Sequence, residues 1–268
     1  MTLAAASSYQ VEAFNTAKAS ENKIHDDEVA RRFGFGGGLV PGVDVYAYMT
    51  HPAVEAWGAE WLRRGVADCR FMKPVYEGRI AAVTAQPDDD GGLAIRVESE
   101  GQLCAEGSAR LPDKAAPPPA LDDFPVLPLP DERPPASPEA MPVGAGLGTY
   151  TRPFDADEAA GYLADVREDL AIYRERALVH PGHILRFANW GLSQNVVLGP
   201  WIHVGSEIRH FDHASHGEDI SVRSRVLKNY EHKGHRFVEL DCLVLAGGDR
   251  ALAQVHHTAI YEPRQVRG

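Results

Sequence analysis

The chain has 268 residues, 44% hydrophobic and 24% charged, with a formal net charge of −11 and an isoelectric point near 5.5. That length supports one large domain or two packed modules of about 110 to 130 residues each. The acidic balance, with basic residues scattered rather than gathered into a stripe, excludes nucleic acid and anionic membrane surfaces as expected partners. Cys69, Cys104 and Cys242 lie far apart, each in an apolar-rich stretch, as buried thiols of a reducing compartment do. Met1 to Ser7 lacks the basic start and apolar core of a leader, and no stretch approaches membrane-spanning length, so a cytoplasmic protein is expected.

In chain order, the first feature with chemical content is Asn22-Lys23-Ile24-His25-Asp26-Asp27. It sets a carboxamide and an imidazole three residues apart in a polar loop. Asp26, Asp27 and Glu28 then form the acidic first turn of a short helix. Gly34-Phe35-Gly36-Gly37-Gly38 follows; without a preceding strand or a Gly-Lys-Ser/Thr continuation it reads as a flexible lead-in, not a phosphate loop. Val40-Pro41-Gly42 opens a helical pattern through Val43, Tyr46, Ala47, Met49, Val54, Trp57, Trp61 and Leu62, with a break expected near His51-Pro52. A helix start of this kind presents unpaired N–H groups to a developing oxyanion, so the arrangement points to proton transfer beside a carbonyl.

Strands are expected at 66–75, 78–86, 93–100 and 102–111, turning at Asp90-Gly91-Gly92. Ten of the 19 prolines then fall between Pro117 and Pro142, marking 113–148 as an extended surface connector between an N-terminal module (1–112) and a C-terminal one (149–268). Beyond it, Val179-His180-Pro181-Gly182 opens a second helical pattern through Ile184, Leu185, Phe187, Ala188, Leu192 and Val196. Strands are expected at 202–213, 218–228, 235–246 and 250–261. His210, His213 and His216 recur every third residue, but at a strand end their side chains diverge, so no metal site is expected. Of the neighbours His256 and His257, at most one can face the core. Trp57, Trp61 and Trp190 are expected to fill the helix–sheet core.

The halves match each other. Gly42 and Gly182 are 140 residues apart, and Gly78 and Gly217 are 139 apart. A near-constant offset marks two copies of one unit. Long strands in hairpin order after one buried helix give an α+β class with an antiparallel sheet curled around that helix in each copy.

This pattern resembles two tandem hot-dog modules. The segment from Asn22 to Gly42 is similar to the hydratase motif of the MaoC-like enoyl-thioester hydratases and dehydratases, in which Asp-x-Asn-Pro-x-His-x-Asp precedes the central helix. Asn22, Ile24, His25 and Asp27 match; Ala30 and Gly34 suit the downstream spacing; Lys23 stands where proline is usual. Ser20 occupies the place of the family's catalytic aspartate, and the second half carries no Asn-x-x-His.

The resemblance implies reversible syn addition of water to a trans-2-enoyl thioester carried by CoA or a carrier protein, with no further cofactor and no metal. His25 would exchange protons, the Gly42 N–H would polarise the thioester carbonyl, Ser20 would align a water, and Asn22 would orient that water or hold the loop through local hydrogen bonds. The missing acid could come from Glu21, Asp26 or Asp27, or across the module interface from Asp165 or Asp169. His180 would be a second-site acid or base, or a structural residue at the interface. A non-catalytic acyl-thioester binding or partner subunit and a hot-dog thioesterase are the alternatives. A fused pair permits a monomer with pseudo-dimeric modules or a homodimer.

Overall fold

The computed structural model describes residues 5–264, so Met1 to Ala4, part of the stretch read for a leader, lie outside it. The first half runs β1 (Ser7–Glu12), a 3-10 turn at Lys23–His25, α1 (Asp27–Arg32), α2 (Gly42–Arg64), β2 (Val66–Phe71), β3 (Ile80–Pro87), β4 (Leu93–Ser99) and β5 (Gln102–Arg110). The second runs β6 (Gly146–Pro153), α3 (Ala156–Asp165), α4 (Ala171–Glu175), α5 (Pro181–Ser193), β7 (Ile202–His210), β8 (Asp219–His232), β9 (His235–Ala246) and β10 (Arg250–Glu262). All eight expected strands are present, β2 and β7 ending sooner than expected. Two more, β1 and β6, begin each half, and β6 starts within the stretch expected to be connector.

The ten strands form one continuous sheet in the order β1-β3-β4-β5-β2-β7-β10-β9-β8-β6. Read outward from its middle, each half repeats the same order, so the sequence repeat becomes a pseudo-twofold. The halves join where β2 pairs antiparallel with β7, Cys69 opposite Ser206. The seam is tight: a Cβ on Gly205 would stand 2.5 Å from the Cys69 carbonyl oxygen. β4 alternates buried and exposed residues along its whole length, so one face meets α2 and the other meets solvent.

Helix α2 is buried around its whole circumference from Val43 to Thr50, as a helix wrapped by a sheet must be. The chain stays helical through His51-Pro52, where a break was expected, and departs from helical geometry at Gly58 (φ 58°, ψ −146°). Pro52 cannot donate to the carbonyl of Tyr48, four residues back. The Tyr9 hydroxyl donates to that carbonyl instead, so the acceptor that proline leaves open is satisfied. Gly58 takes a backbone conformation open essentially to glycine alone.

The connector is more than a spacer. Phe124 is buried against Leu243, Leu245 and Ala251 on the outer face of the second sheet, and the Arg223 guanidinium donates to the Phe124 carbonyl at 3.1 Å. With α5 beneath and this strap above, β9 is buried continuously from Val238 to Ala246. All three cysteines are free and buried, and no helix among the described residues is long and apolar enough to cross a membrane.

Candidate active site

The polar loop between β1 and α1 is fixed largely by one side chain. Asn22 Oδ1 accepts from the Ile24 N–H (3.3 Å), closing the 3-10 turn. The same carboxamide pairs with the backbone of Trp201 in the second module: Nδ2 donates to the carbonyl at 3.0 Å and Oδ1 accepts from the N–H at 3.1 Å. A loop of the first module is thus pinned to the second. Asn15 Nδ2 donates to the His25 carbonyl at 3.0 Å, and Asp27 Oδ1 accepts from the Gly38 N–H at 2.7 Å. The glycine run wraps the backbone of the histidine; a Cβ on Gly38 would overlap the His25 carbonyl.

These contacts fix the ring of His25. Its Nδ1 lies 2.7 Å from the Leu39 carbonyl oxygen, an acceptor only, so Nδ1 carries the proton and Nε2 the lone pair. Asn22 Nδ2 lies 3.3 Å from that Nε2. Burial pushes the His25 pKa below its ordinary value; the Leu39 carbonyl and Asp44 pull it partly back, and Arg186 adds to the lowering. The neutral, base-competent ring is the favoured form.

Two cavities meet at this ring. The larger, about 460 Å³, is the more polar of the two, with Thr16, Ser20, Arg186, Ser193 and Gln194 in its wall beside Val43, Val196 and Leu198. The smaller, about 250 Å³, is mostly apolar, with Phe35, Val40, Phe71, Val75 and Ile260. Asn22, His25, Pro41, Asn189 and Trp201 line both. Gly42 lines the apolar cavity at the head of α2, where the first N–H groups have no intrahelical acceptor. A Cβ at position 42 would lie 3.0 Å from both His203 Nδ1 and Phe71 Cε2, so glycine lets strand and helix close around the site. His203 is itself held through Ser206 (2.9 Å), which also contacts His257 Nδ1 at 3.1 Å.

Behind the site, Asp44 is fully buried and joins the modules. Its carboxylate accepts from Thr16 Oγ1 (2.6 Å), Arg186 Nη2 (2.7 Å) and Tyr162 Oη (3.2 Å). Arg186 in turn stacks on Tyr162. This network holds α2, α5 and α3 in register.

The remaining candidates are placed as follows. Ser20 lines the polar cavity, its hydroxyl 3.3 Å from the Asn22 carbonyl. Asp26 caps α1, Asp27 holds Gly38, and Glu21 pairs with Arg133 of the connector. Asp165 and Asp169 line neither cavity. Among the described lining residues, Glu21 is the only carboxylate.

At the pseudo-symmetric position the second module is closed by its own residues. His180 Nδ1 accepts from the Gly182 N–H at 3.1 Å, and its Nε2 lies 3.4 Å from Glu168 Oε2. The Tyr162 hydroxyl crowds the space above Gly182. Glu168 also meets His51 Nδ1 at 3.0 Å and the Leu170 N–H at 2.8 Å, and these partners hold its pKa low despite burial. His51, Glu168 and Asp169 bring ligand atoms within 4.8 Å of one another, but Glu168 is already committed to three donors.

Asp44, Arg186 and Asn189 are not among the expected site residues. Asp44 passes as an ordinary acidic residue of a helix start. The signal for the others was present: Arg186, Asn189 and Ser193 recur at i, i+3 and i+7 in an otherwise apolar helix, a polar stripe that had to face something.

No protein-family model matches the chain, and no curated protein matches it by sequence. The fold is that of the double hot-dog proteins. A conserved hypothetical protein from Mycobacterium tuberculosis, described as having a double hotdog fold, superposes with a TM-score of 0.65 at 14% identity, over 96% of each chain. More particularly, the chain resembles MaoC-like dehydratases. A protein described as a MaoC domain dehydratase from Chloroflexus aurantiacus J-10-fl gives a TM-score of 0.64 at 12% identity, covering 97% of this chain and 96% of that one. A Lactobacillus plantarum protein described as an oleoyl thioesterase gives 0.53 at 10% identity, over 97% and 98%.

Proposed function

We propose that the protein is a hydratase or dehydratase of acyl thioesters, adding water across a trans-2-enoyl thioester or removing it from the 3-hydroxyacyl form. The observation that carries this reading is the ring of His25, its Nδ1 held by the Leu39 carbonyl, in the wall shared by two cavities and beside the helix start at Gly42. In the hydration direction, His25 Nε2 gives up its 3.3 Å contact with the Asn22 amide and takes a proton from water as the oxygen bonds to C3. The electron pair of the double bond moves toward the thioester carbonyl, whose oxygen is stabilised by the Gly42 N–H and the head of α2. The imidazolium then returns the proton to C2, on the same face, so one base serves both steps. Asn22 keeps the ring and loop in place. The apolar cavity suits the acyl chain and the polar one suits water.

A thioesterase reading has less support, because the one carboxylate among the described residues lining the cavities, Glu21, is paired with Arg133. The competing reading is a binding subunit, supported by Ser20 at the family's aspartate position. The test is spectrophotometric: mix the protein with crotonyl-CoA, follow enoyl absorbance, and measure free thiol in parallel. Loss of absorbance without thiol release, abolished by His25→Ala, supports hydration. Thiol release supports the thioesterase. Binding without turnover, with hydration appearing only in Ser20→Asp, supports the binding subunit.

A further inference from the structure

Arg186 is the only guanidinium or ammonium among the described residues lining the larger cavity. Its Nη2 is committed, donating to Asp44 Oδ1 at 2.7 Å and to Thr16 Oγ1 at 3.0 Å. Nη1 and Nε make no hydrogen bond among the described residues. Neither is sealed in the protein: the Arg186 side chain is 21% exposed, and neither nitrogen is among the buried atoms left without a partner. Fully buried Asp44 thus fixes one edge of the guanidinium, and the remaining donors stay within reach of whatever enters the cavity. A buried ion pair seldom stabilises a fold more than apolar residues of the same volume would. Stability alone therefore does not account for a guanidinium in a cavity wall with donors to spare.

The larger cavity also holds more than the reaction consumes. One water takes about 30 Å³, a small part of the 460 Å³ present. Gly42 lines the smaller cavity alone, whereas His25 lines both, so a chain whose thioester carbonyl sits at Gly42 and whose C3 meets His25 ends, past C3, at the larger cavity. Arg186 is close enough to His25 for its charge to help lower the pKa of that ring. The carrier's phosphates do not suit this place, since the whole pantetheine arm separates them from the thioester. We infer that Arg186 binds a carboxylate borne on C3 of the acyl group, so that the substrate class is a trans-2-enoyl thioester of a short dicarboxylic acid, and the second module supplies the specificity-determining residue of the first module's site. This rests on the hydratase reading of His25. The carboxylate is unchanged by the reaction: the water O–H breaks to His25, the oxygen bonds to C3, the proton returns to C2, and nothing is oxidised or reduced.

The experiment compares ligands that differ only in a terminal carboxylate or methyl, on the full chain. Steady-state kinetics gives kcat/KM for fumaryl-CoA and crotonyl-CoA, and calorimetry gives affinities for the unreactive pair succinyl-CoA and butyryl-CoA. The wild type should favour the carboxylate in both pairs by about tenfold, the low end for a charged hydrogen bond because Asp44 offsets part of the charge. Arg186→Lys keeps a cation for Asp44 but replaces the fork by one nitrogen, and should lose most of that preference. A double variant, Asp44→Asn with Arg186→Gln, strands no charge and should lose all of it. The ratio between ligands is the readout, since a merely structural role lowers both members of a pair alike and leaves the ratio where it was. Equal losses of that kind, or a preference that survives in both variants, overturn the assignment to Arg186. A wild type that hydrates crotonyl-CoA and shows no carboxylate preference in either pair overturns the inference while hydration by His25 stands. A wild type that turns over neither enoyl-CoA, yet binds succinyl-CoA more tightly than butyryl-CoA in a manner dependent on Arg186, sinks the hydratase reading and supports the carboxylate site. Neither turnover nor preference overturns both.

Discussion

Asn22→Asp keeps the size of the side chain and the Oδ1 that receives the Trp201 and Ile24 N–H groups, but replaces the amide donor 3.3 Å from His25 Nε2 with a charged oxygen. Opposite unit charges at that separation attract by about 5 kcal/mol at an effective dielectric constant near 20. At about 1.36 kcal/mol per pKa unit this bounds the shift at roughly 3 to 4 units. The new carboxylate also faces the Trp201 carbonyl it can no longer donate to, so a rise of about 1 to 2 units is expected. In the wild type, burial lowers the His25 pKa, and the acid limb of kcat/KM should fall below the ordinary histidine value of about 6.5. In the variant the acid limb moves up by the same amount, so hydration falls at pH values where the wild type keeps its full rate. Histidine NMR titration, run beside the pH–rate profile, measures both. A His25 pKa unmoved or lowered by the substitution would refute the placement of position 22 against Nε2.

Three further outcomes follow from the same geometry. Gly42→Ala should lower activity and destabilise the fold by about 1 to 3 kcal/mol, because the new methyl presses on His203 and Phe71 in a packed wall; chemical denaturation and kcat report the two effects. Asp44→Ala strands Arg186 across the interface and should cost about 3 to 5 kcal/mol, whereas a loss under about 1 kcal/mol by denaturation would show the network to be incidental. Because the folded pKa of His25 is below its unfolded value, its contribution to stability is present above the unfolded value and is lost as pH falls toward the folded one. Denaturation midpoints of the wild type should therefore decline more steeply over that interval than those of His25→Ala.

Much of the fold was written in the sequence because period and repeat agree. Alternation in Leu93–Ser99 and the offset between Gly42 and Gly182 both carry over into the sheet and its pseudo-twofold. β1 and β6 were not expected: both are edge strands and only partly buried, so neither carries a continuous apolar pattern. The helix break was expected at Pro52 and occurs at Gly58, because a distant tyrosine takes the carbonyl that proline leaves free, a contact no local pattern encodes. Spacing singles out Asn22, His25 and Gly42, and the structure brings all three to the wall of one cavity. Asn189 is not singled out in this way, since its meaning depends on which face of α5 meets the other module. Closure of the second helix start by His180 and Tyr162 likewise depends on rings that converge only in three dimensions.

The central claim is that an acyl thioester lies across the junction with its reacting carbons between His25 and the head of α2. A crystal structure of the His25→Ala protein with 3-hydroxybutyryl-CoA tests it most directly. The thioester oxygen should lie at the Gly42 N–H and the 3-hydroxyl in the space vacated by the imidazole. Electron density for the acyl group away from both cavities, or a carbonyl pointing away from α2, would contradict it.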